Sequence, residues 1–244
     1  MSGIEPTLMS AVYEECRQIL GNNPAVSDVR EAVALAVATA ERVWGDLQDE
    51  SPAYACRKGC AWCCHQTVMV IAPEVIFVAD HIFRSFEIPE REALRVRLGR
   101  QSNLIEGKTT AERQTNGFPC GALADFICSV HLARPLPCRG GYSSDAEFCR
   151  DLFEDFAGIN AALDRGVREE PFLTVPKILF SSAQLGLARA FQDIGYRCQP
   201  LELTAALEIA LSLRDVGEAW LEDEDVFLPA VLRKVGDYYV TSAS

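Results

Sequence analysis

Residues 56–64 read Cys-Arg-Lys-Gly-Cys-Ala-Trp-Cys-Cys, and we expect the fold to be organised around this stretch. Its four thiols have the spacing C-x3-C-x2-C-C, and His65 follows directly. Thiolates are the soft ligands that zinc and iron–sulfur clusters prefer. A tight turn directs cysteines two or three residues apart to one side, and Gly59 suits such a turn because glycine tolerates a positive φ.

A second group of cysteines lies downstream. Most of it falls within residues 116–144, where repeated glycines and prolines predict a loop. A loop of this length is uncommon in a compact domain unless something fixes it, and metal ligation would do so. We therefore predict a polythiolate site for zinc or an iron–sulfur cluster, with the ligands Cys56, Cys60, Cys63, Cys64, Cys120, Cys128, Cys138 and Cys149. Eight thiols suffice for two four-thiolate centres or for one centre plus spares. The adjacent pair Cys63-Cys64 favours two, because neighbouring side chains tend to diverge.

The composition excludes several classes of function. The chain has 244 residues and a net charge of -12, which argues against nucleic acid and anionic membranes as partners. No window approaches the ~18 consecutive apolar residues of a membrane span, and no signal peptide is visible. We expect a cytoplasmic protein, whose ten cysteines are reduced and therefore better explained by metal than by disulfides.

The charge close to the thiols differs from that of the chain as a whole. Residues 56–65 and 120–150 together contain five basic and three acidic side chains. Nearby cations favour the thiolate form, although these residues are equally interpretable as ordinary surface charges. His65 and His131 are each close in sequence to a cysteine. Each has three possible roles: a metal ligand, a hydrogen-bond donor to sulfur, or an ordinary polar residue. His81 is predicted to be structural and Cys16 to be buried.

Apolar periodicity predicts a mainly α protein. Helices are expected over 8–20, 27–48, 73–86, 89–112, 145–163, 174–194, 201–214 and 226–235, with a short extended piece at 68–71. Ser27 is the expected N-cap of the second helix, and Pro73-Glu74 is expected to open the third. We predict N-terminal helices (1–50), a cysteine-cluster metal-binding core with a long metal-stabilised loop region (51–150) and C-terminal helices (151–244), packed as one domain. The acidic run at 222–225 is expected to be a solvated turn.

The first cysteine stretch, followed by Pro119-Cys120, Cys128 and Arg134-Pro135-x2-Cys138-Arg139, resembles the YkgJ-type CxxCxxCC cysteine-cluster family. The likeness covers about residues 56–150, and it implies that the chain chelates zinc or iron. It also matches Glu74 to an additional glutamate of the family and Cys149 to its trailing cysteine. This chain departs from the family in having three residues in the first gap. It also has His131 where a tyrosine is frequent.

Three functions remain open. The first is a metal chelator, carrier or structurally metallated module. The second is an iron–sulfur-dependent redox or methyl-transfer enzyme, as implied by the similar cysteines of flagellin lysine methylase, with Glu74 or His131 as proton-transfer groups. Glu74 is more simply interpreted as a helix cap.

The third function is a module that is stabilised by its metal and binds a protein partner through its acidic helical surface. The C-x3-C-x2-C spacing also occurs in radical S-adenosylmethionine enzymes, but there it follows a strand of an α/β barrel. No P-loop, G-x-G-x-x-G, G-x-S-x-G or H-E-x-x-H motif is present.

Overall fold

The computed structural model describes residues 4–222 and 225–241, and these are mainly helical, as predicted. The helices are α1 (Ile4–Leu20), α2 (Val26–Leu47), α3 (Ala72–Ser85), α4 (Ile88–Ile105), α5 (Thr110–Thr115), α6 (Leu136–Arg139), α7 (Ala146–Glu154), α8 (Phe156–Asp164), α9 (Thr174–Gln192), α10 (Leu203–Ser212) and α11 (Val216–Leu221). The strands are β1 (Met69–Val70), β2 (Leu123–Ala124), β3 (Ile127–Cys128), β4 (Leu201–Glu202), β5 (Leu232–Val235) and β6 (Tyr238–Thr241).

Helices from both ends of the chain form the core. Helix α1 packs against α9 and α2, α9 also contacts α6, and α3 and α4 pack against α10. The apolar periodicity that predicts the helix over 27–48 is confirmed by a buried stripe on α2. Its members are buried except for the half-buried Val43, and they are Val29, Val33, Ala36, Val37, Ala40, Val43 and Trp44. Cys16 is also buried, as predicted, and its thiol donates to the carbonyl of Ala32 at 3.5 Å. No helix within the described ranges is long and apolar enough to cross a membrane.

The strands form three antiparallel pairs. β1 pairs with β4 through Met69↔Glu202 and Val70↔Leu201, which confirms the extended piece at 68–71 and sets α3 beside α10. β2 and β3 form a hairpin within the second cysteine region. The predicted helix over 226–235 is wrong, because this range holds a short 3-10 helix at Leu228–Ala230 and then β5, which forms a hairpin with β6. Its two-residue turn, Gly236-Asp237, lies between strands rich in valine and tyrosine, a composition that favours a hairpin over a helix.

Several helix boundaries also differ from the predictions. The N-cap of α2 is Ala25 and not Ser27, since the Asp28 carboxylate accepts a bond from the Ala25 amide at 2.8 Å. The helix predicted to reach 112 ends at Ile105, and α5 then begins behind a capping box. The helix predicted over 145–163 is divided at Asp155. Part of the acidic run, 223–224, lies outside the described residues.

Candidate metal centre

The first cysteine stretch forms two consecutive turns. The amide of Cys60 donates to the carbonyl of Arg57 at 2.9 Å, which closes a turn with Gly59 at φ +87°. The positive φ confirms the expected role of this glycine, since an L side chain would be strained there. A short 3-10 helix at Trp62–His65 follows and carries the adjacent pair Cys63 and Cys64.

Cys120 lies directly against this stretch. Its backbone amide donates to the carbonyl oxygen of Cys64 at 2.7 Å. The neighbouring Gly121 is packed so closely that an added Cβ would lie 2.7 Å from Cδ2 of Leu98 and 2.8 Å from Cγ2 of Thr204. The Thr204 hydroxyl accepts from the Gly121 amide at 3.2 Å and is 3.9 Å from the Cys120 sulfur, to which it donates. Helices α4 and α10 therefore fix the position of Cys120.

Cys128 follows on the hairpin that begins after Cys120. The turn of this hairpin has Asp125 and Phe126 at φ +49° and +60°, a conformation that a two-residue hairpin turn requires. The Arg97 side chain of α4 holds the base of the hairpin by donating to the carbonyl of Gly121 at 2.8 Å. The loop predicted over 116–144 is thus ordered partly by a hairpin and partly by α6.

Helix α6 carries Cys138 and is held by two buried charged side chains. Arg139 donates to the carbonyls of Arg134 and Leu132 at 2.7 and 2.8 Å and pairs with Glu41. It is 7% exposed, so it is not an ordinary surface charge, and its charge interacts with the neighbouring Cys138 thiol. Glu74 accepts from the Leu136 amide at the start of α6 at 2.9 Å.

Glu74 connects three helices. Besides the bond to α6, its carboxylate accepts from the Ile71 amide at 3.1 Å, which confirms it as a cap of α3. Gln184 of α9 donates to it at 2.6 Å. Burial raises the pKa of Glu74 to about 7, and these three bonds together with Arg139 oppose the rise.

Cys149 lies in the first turns of α7, as predicted, and is tied to the first stretch through Ser143. The N-cap Asp145 starts this helix by accepting from the amides of Glu147 and Phe148. The Ser143 amide donates to the Cys56 sulfur at 3.4 Å, and the Ser143 side chain hydrogen-bonds to Cys149. Sequence reasoning missed Ser143 and Thr204, because nothing in their local sequence marks them as partners of sulfur.

The fold brings all eight predicted ligands close enough for their charges to interact. The first group, linked by such interactions, comprises Cys56, Cys60, Cys63 and Cys149. The second comprises Cys63, Cys64, Cys120, Cys128 and Cys138. Cys63 belongs to both groups, and its thiol hydrogen-bonds to that of Cys64.

The thiols are neighbours but do not converge on one point. All are free, and among the described residues no three histidine, cysteine or acidic side chains are placed so that they could hold one metal ion as they stand. Burial raises the pKa of most of the thiols, for Cys120 to about 11. The pKa of Cys63 is instead lowered to about 7, mainly by the hydrogen bond from Cys64 and to a smaller extent by the charge of Arg134. A thiol must lose its proton to ligate a metal, so the raised pKa values oppose ligation by the buried thiols in the absence of metal.

Arg134 is the cation whose charge reaches both groups. It lowers the pKa of Cys56 and Cys128 as well as that of Cys63, although burial is the larger influence on the first two. Its Nε atom is buried and has no hydrogen-bond partner within the described ranges. By contrast, Arg57, Lys58 and Arg150 are exposed, as ordinary surface charges are.

The two histidines beside the cysteines have different surroundings. His131 is exposed, and its Nε2 lies 2.8 Å from an Arg134 nitrogen. The half-buried His65 ring packs 4.5 Å from the Phe153 ring, and its Nδ1 is buried without a partner among the described atoms. The pKa of each histidine is lowered, mainly by loss of solvent around the ring and, for His131, also by the charges of Arg134 and Arg139. His81 lies 3.4 Å from the Ser85 hydroxyl on α3, away from the cysteines.

Comparison with known proteins returned no matching family model, no matching curated protein and no matching solved structure. The structure therefore defines the chain as a mainly helical protein with eight neighbouring thiols, and its chemistry must be argued from those residues.

Proposed function

We propose that this protein binds a thiophilic metal, as zinc or as an iron–sulfur cluster, through Cys56, Cys60, Cys63, Cys64, Cys120, Cys128, Cys138 and Cys149. The observation that carries the proposal is the gathering of these thiols from two separate stretches into two groups that share Cys63. Neither of the remaining cysteines takes part: Cys16 interacts with Glu15 and Cys198 with Glu74.

The chemistry of the donor set fits such a group. Four thiolates complete a tetrahedral zinc site or the ligation of an iron–sulfur cluster. Each thiol group has at least four members; the carboxylates of Glu74 and Glu202 act on Cys138 and Cys120 of the second group, and no carboxylate acts on Cys56 or Cys149 among the described residues. Arg134 supplies a positive charge beside a site that becomes strongly anionic once its thiols ionise.

The chain's own contacts support a pre-arranged scaffold. The Cys120 amide, the Ser143 amide and the Thr204 hydroxyl each connect a thiol-bearing segment to another part of the fold. Hydrogen bonds of the Glu74 and Arg139 side chains fix α6, and with it Cys138. We assign the protein to the cysteine-cluster family that its spacing resembles, and to the cytoplasm, where thiols stay reduced.

A second candidate function is an iron–sulfur-dependent redox or methyl-transfer enzyme. The specific observation in its favour is a cleft that reaches Cys63 and Cys149, through which a molecule would approach the first thiol group. A cluster bound there would supply electron transfer or an open iron position. A third candidate, a metal-stapled module that binds a protein partner through its acidic surface, has no comparable observation.

Anaerobic purification followed by a visible spectrum and by iron, zinc and acid-labile sulfide analysis tests these proposals. A brown protein with iron and sulfide supports the cluster and keeps the enzyme candidate. A colourless protein with stoichiometric zinc supports metal binding but excludes the redox and methyl-transfer function. A folded protein that contains neither metal contradicts the proposal.

A further inference from the structure

We infer that the cleft beside the first thiol group binds an uncharged aromatic ring, carried by a small molecule that is the substrate or ligand of the metal site. The inference deepens the proposed function, because two proposed metal ligands, Cys63 and Cys149, line the cleft. Binding of the ring itself depends on the walls of the cleft and not on the metal.

The cleft is an open groove with mostly aromatic walls. These walls are formed by Trp62, His65, Leu152, Phe153, Phe156 and Phe172. Gln66 and Gln114 add uncharged polar groups at its surface. Sites for small molecules are typically concave and mostly apolar, with a few polar groups that orient the ligand.

The aromatic wall and the thiols belong to the same two elements. The 3-10 helix at Trp62–His65 carries Cys63, and α7 carries both Cys149 and Phe153. The Phe153 ring lies 5.3 Å from the Trp62 ring at 38°. Aromatic rings prefer tilted or offset neighbours at such distances. A further ring that enters the cleft would therefore pack against the Trp62 and Phe153 rings in the same way. The bound ring would then lie beside the sulfur atoms.

The lining residues indicate that the ring is uncharged. Apart from the thiols of Cys63 and Cys149, which the proposed metal would hold, no aspartate, glutamate, lysine or arginine lines the cleft within the described part of the chain, so a charged ligand would find no ion-pair partner there outside the thiol group itself. Transfer from water to a site without an ion-pair partner raises the free energy of a charged group. The same transfer lowers the free energy of an apolar ring. A cation held on the aromatic faces beside thiolates is the alternative that the experiment must distinguish.

Ligand-observed saturation-transfer NMR on the metal-containing protein tests the inference with three probes of similar size. Benzyl alcohol is an uncharged ring, cyclohexylmethanol has the same bulk without aromatic faces, and benzylamine carries a positive charge. We expect saturable binding of benzyl alcohol and binding of cyclohexylmethanol about three- to tenfold weaker, which corresponds to the usual contribution of one aromatic pair. No binding of benzyl alcohol, equal binding of cyclohexylmethanol or tighter binding of benzylamine would each overturn the inference.

Two matched variants locate the binding. Phe153→Leu keeps an apolar side chain but removes the ring, and should weaken benzyl alcohol binding about three- to tenfold. Phe83→Leu changes a phenylalanine of α3 that is 37% exposed and not part of the cleft, and should leave the affinity unchanged. Equal affinities for the two variants would place the probe elsewhere and overturn the inference. Metal analysis of the same wild-type sample separates the two hypotheses, because saturable ring binding by a metal-free protein would contradict the proposed function and not the cleft.

Discussion

The backbone amide of Cys120 donates a hydrogen bond to the carbonyl oxygen of Cys64, with a donor–acceptor distance of 2.7 Å. This bond joins the two cysteine stretches through the main chain, and Gly121 lies immediately beside it. The relative position of the stretches is therefore set by helix packing and backbone hydrogen bonds as well as by the thiols. Substitutions that disturb this contact should affect both stability and metal retention.

Gly121→Ala is expected to lower the free energy of unfolding by about 1–3 kcal/mol, the usual cost of overpacking. The new methyl group would lie 3.0 Å from the Cα of Leu98, which is backbone and cannot turn away. Gly99→Ala is the matched control. Gly99 follows Leu98 on α4, and a Cβ added there would meet nothing within 4 Å. This substitution should raise stability by up to about 1 kcal/mol through helix propensity. Urea denaturation of both variants tests the prediction, and similar destabilisation by the two would contradict it.

Glu74 should make the protein less stable as the pH rises from about 4.5 to about 7. Burial raises its pKa from 4.5 to about 7, so in this window the folded protein holds a proton that the unfolded chain has released. Each pH unit then costs about 1.4 kcal/mol, and the loss ends above the folded pKa.

The measurement is the difference in unfolding free energy between wild type and Glu74→Gln, determined from pH 5 to pH 8. Taking this difference cancels the pH dependence of metal binding, which the two proteins share. The advantage of the wild type should fall with pH and then level off. An advantage that rises with pH would mean that the three hydrogen bonds outweigh burial and stabilise the carboxylate.

In the metal-free, reduced protein, Cys63 should be alkylated by iodoacetamide with a midpoint near pH 7. Cys64→Ala should raise this midpoint more than Arg134→Gln does, because the hydrogen bond from Cys64 is the larger influence on the pKa of Cys63. Arg150→Gln is the control, since Arg150 is exposed and pairs with Asp151. Mass spectrometry of the Cys63 peptide gives the midpoint, and a wild-type value near the ordinary thiol pKa of 9.0 would refute this assignment.

The sequence was informative wherever a local pattern determined the structure. The stripe of α2, the turn at Gly59 and the cap at Glu74 each depend on neighbouring residues, and each was predicted correctly. The C-terminal hairpin was mistaken for a helix because its short apolar run lacks a decisive period, and the Gly236-Asp237 turn was not recognised.

The contacts that assemble the candidate site were not predictable in this way. Ser143 and Thr204 reach sulfur atoms from segments distant in sequence, and the partner of Arg139 is Glu41 on α2. The sharing of Cys63 between two thiol groups likewise depends on long-range contacts, because the 3-10 helix packs against α7 and its Cys64 carbonyl accepts from Cys120. Spacing identified the ligand candidates, but tertiary packing determines which of them lie together.

The central claim is that the gathered thiols bind metal, and the metal content of three purified proteins tests it most directly. Wild type should contain iron or zinc, Cys60→Ser should lose most of it together with stability, and Cys16→Ser should retain the wild-type amount because Cys16 is buried away from both groups. A folded wild-type protein without metal, or a Cys60→Ser protein with wild-type metal content and stability, would contradict the account.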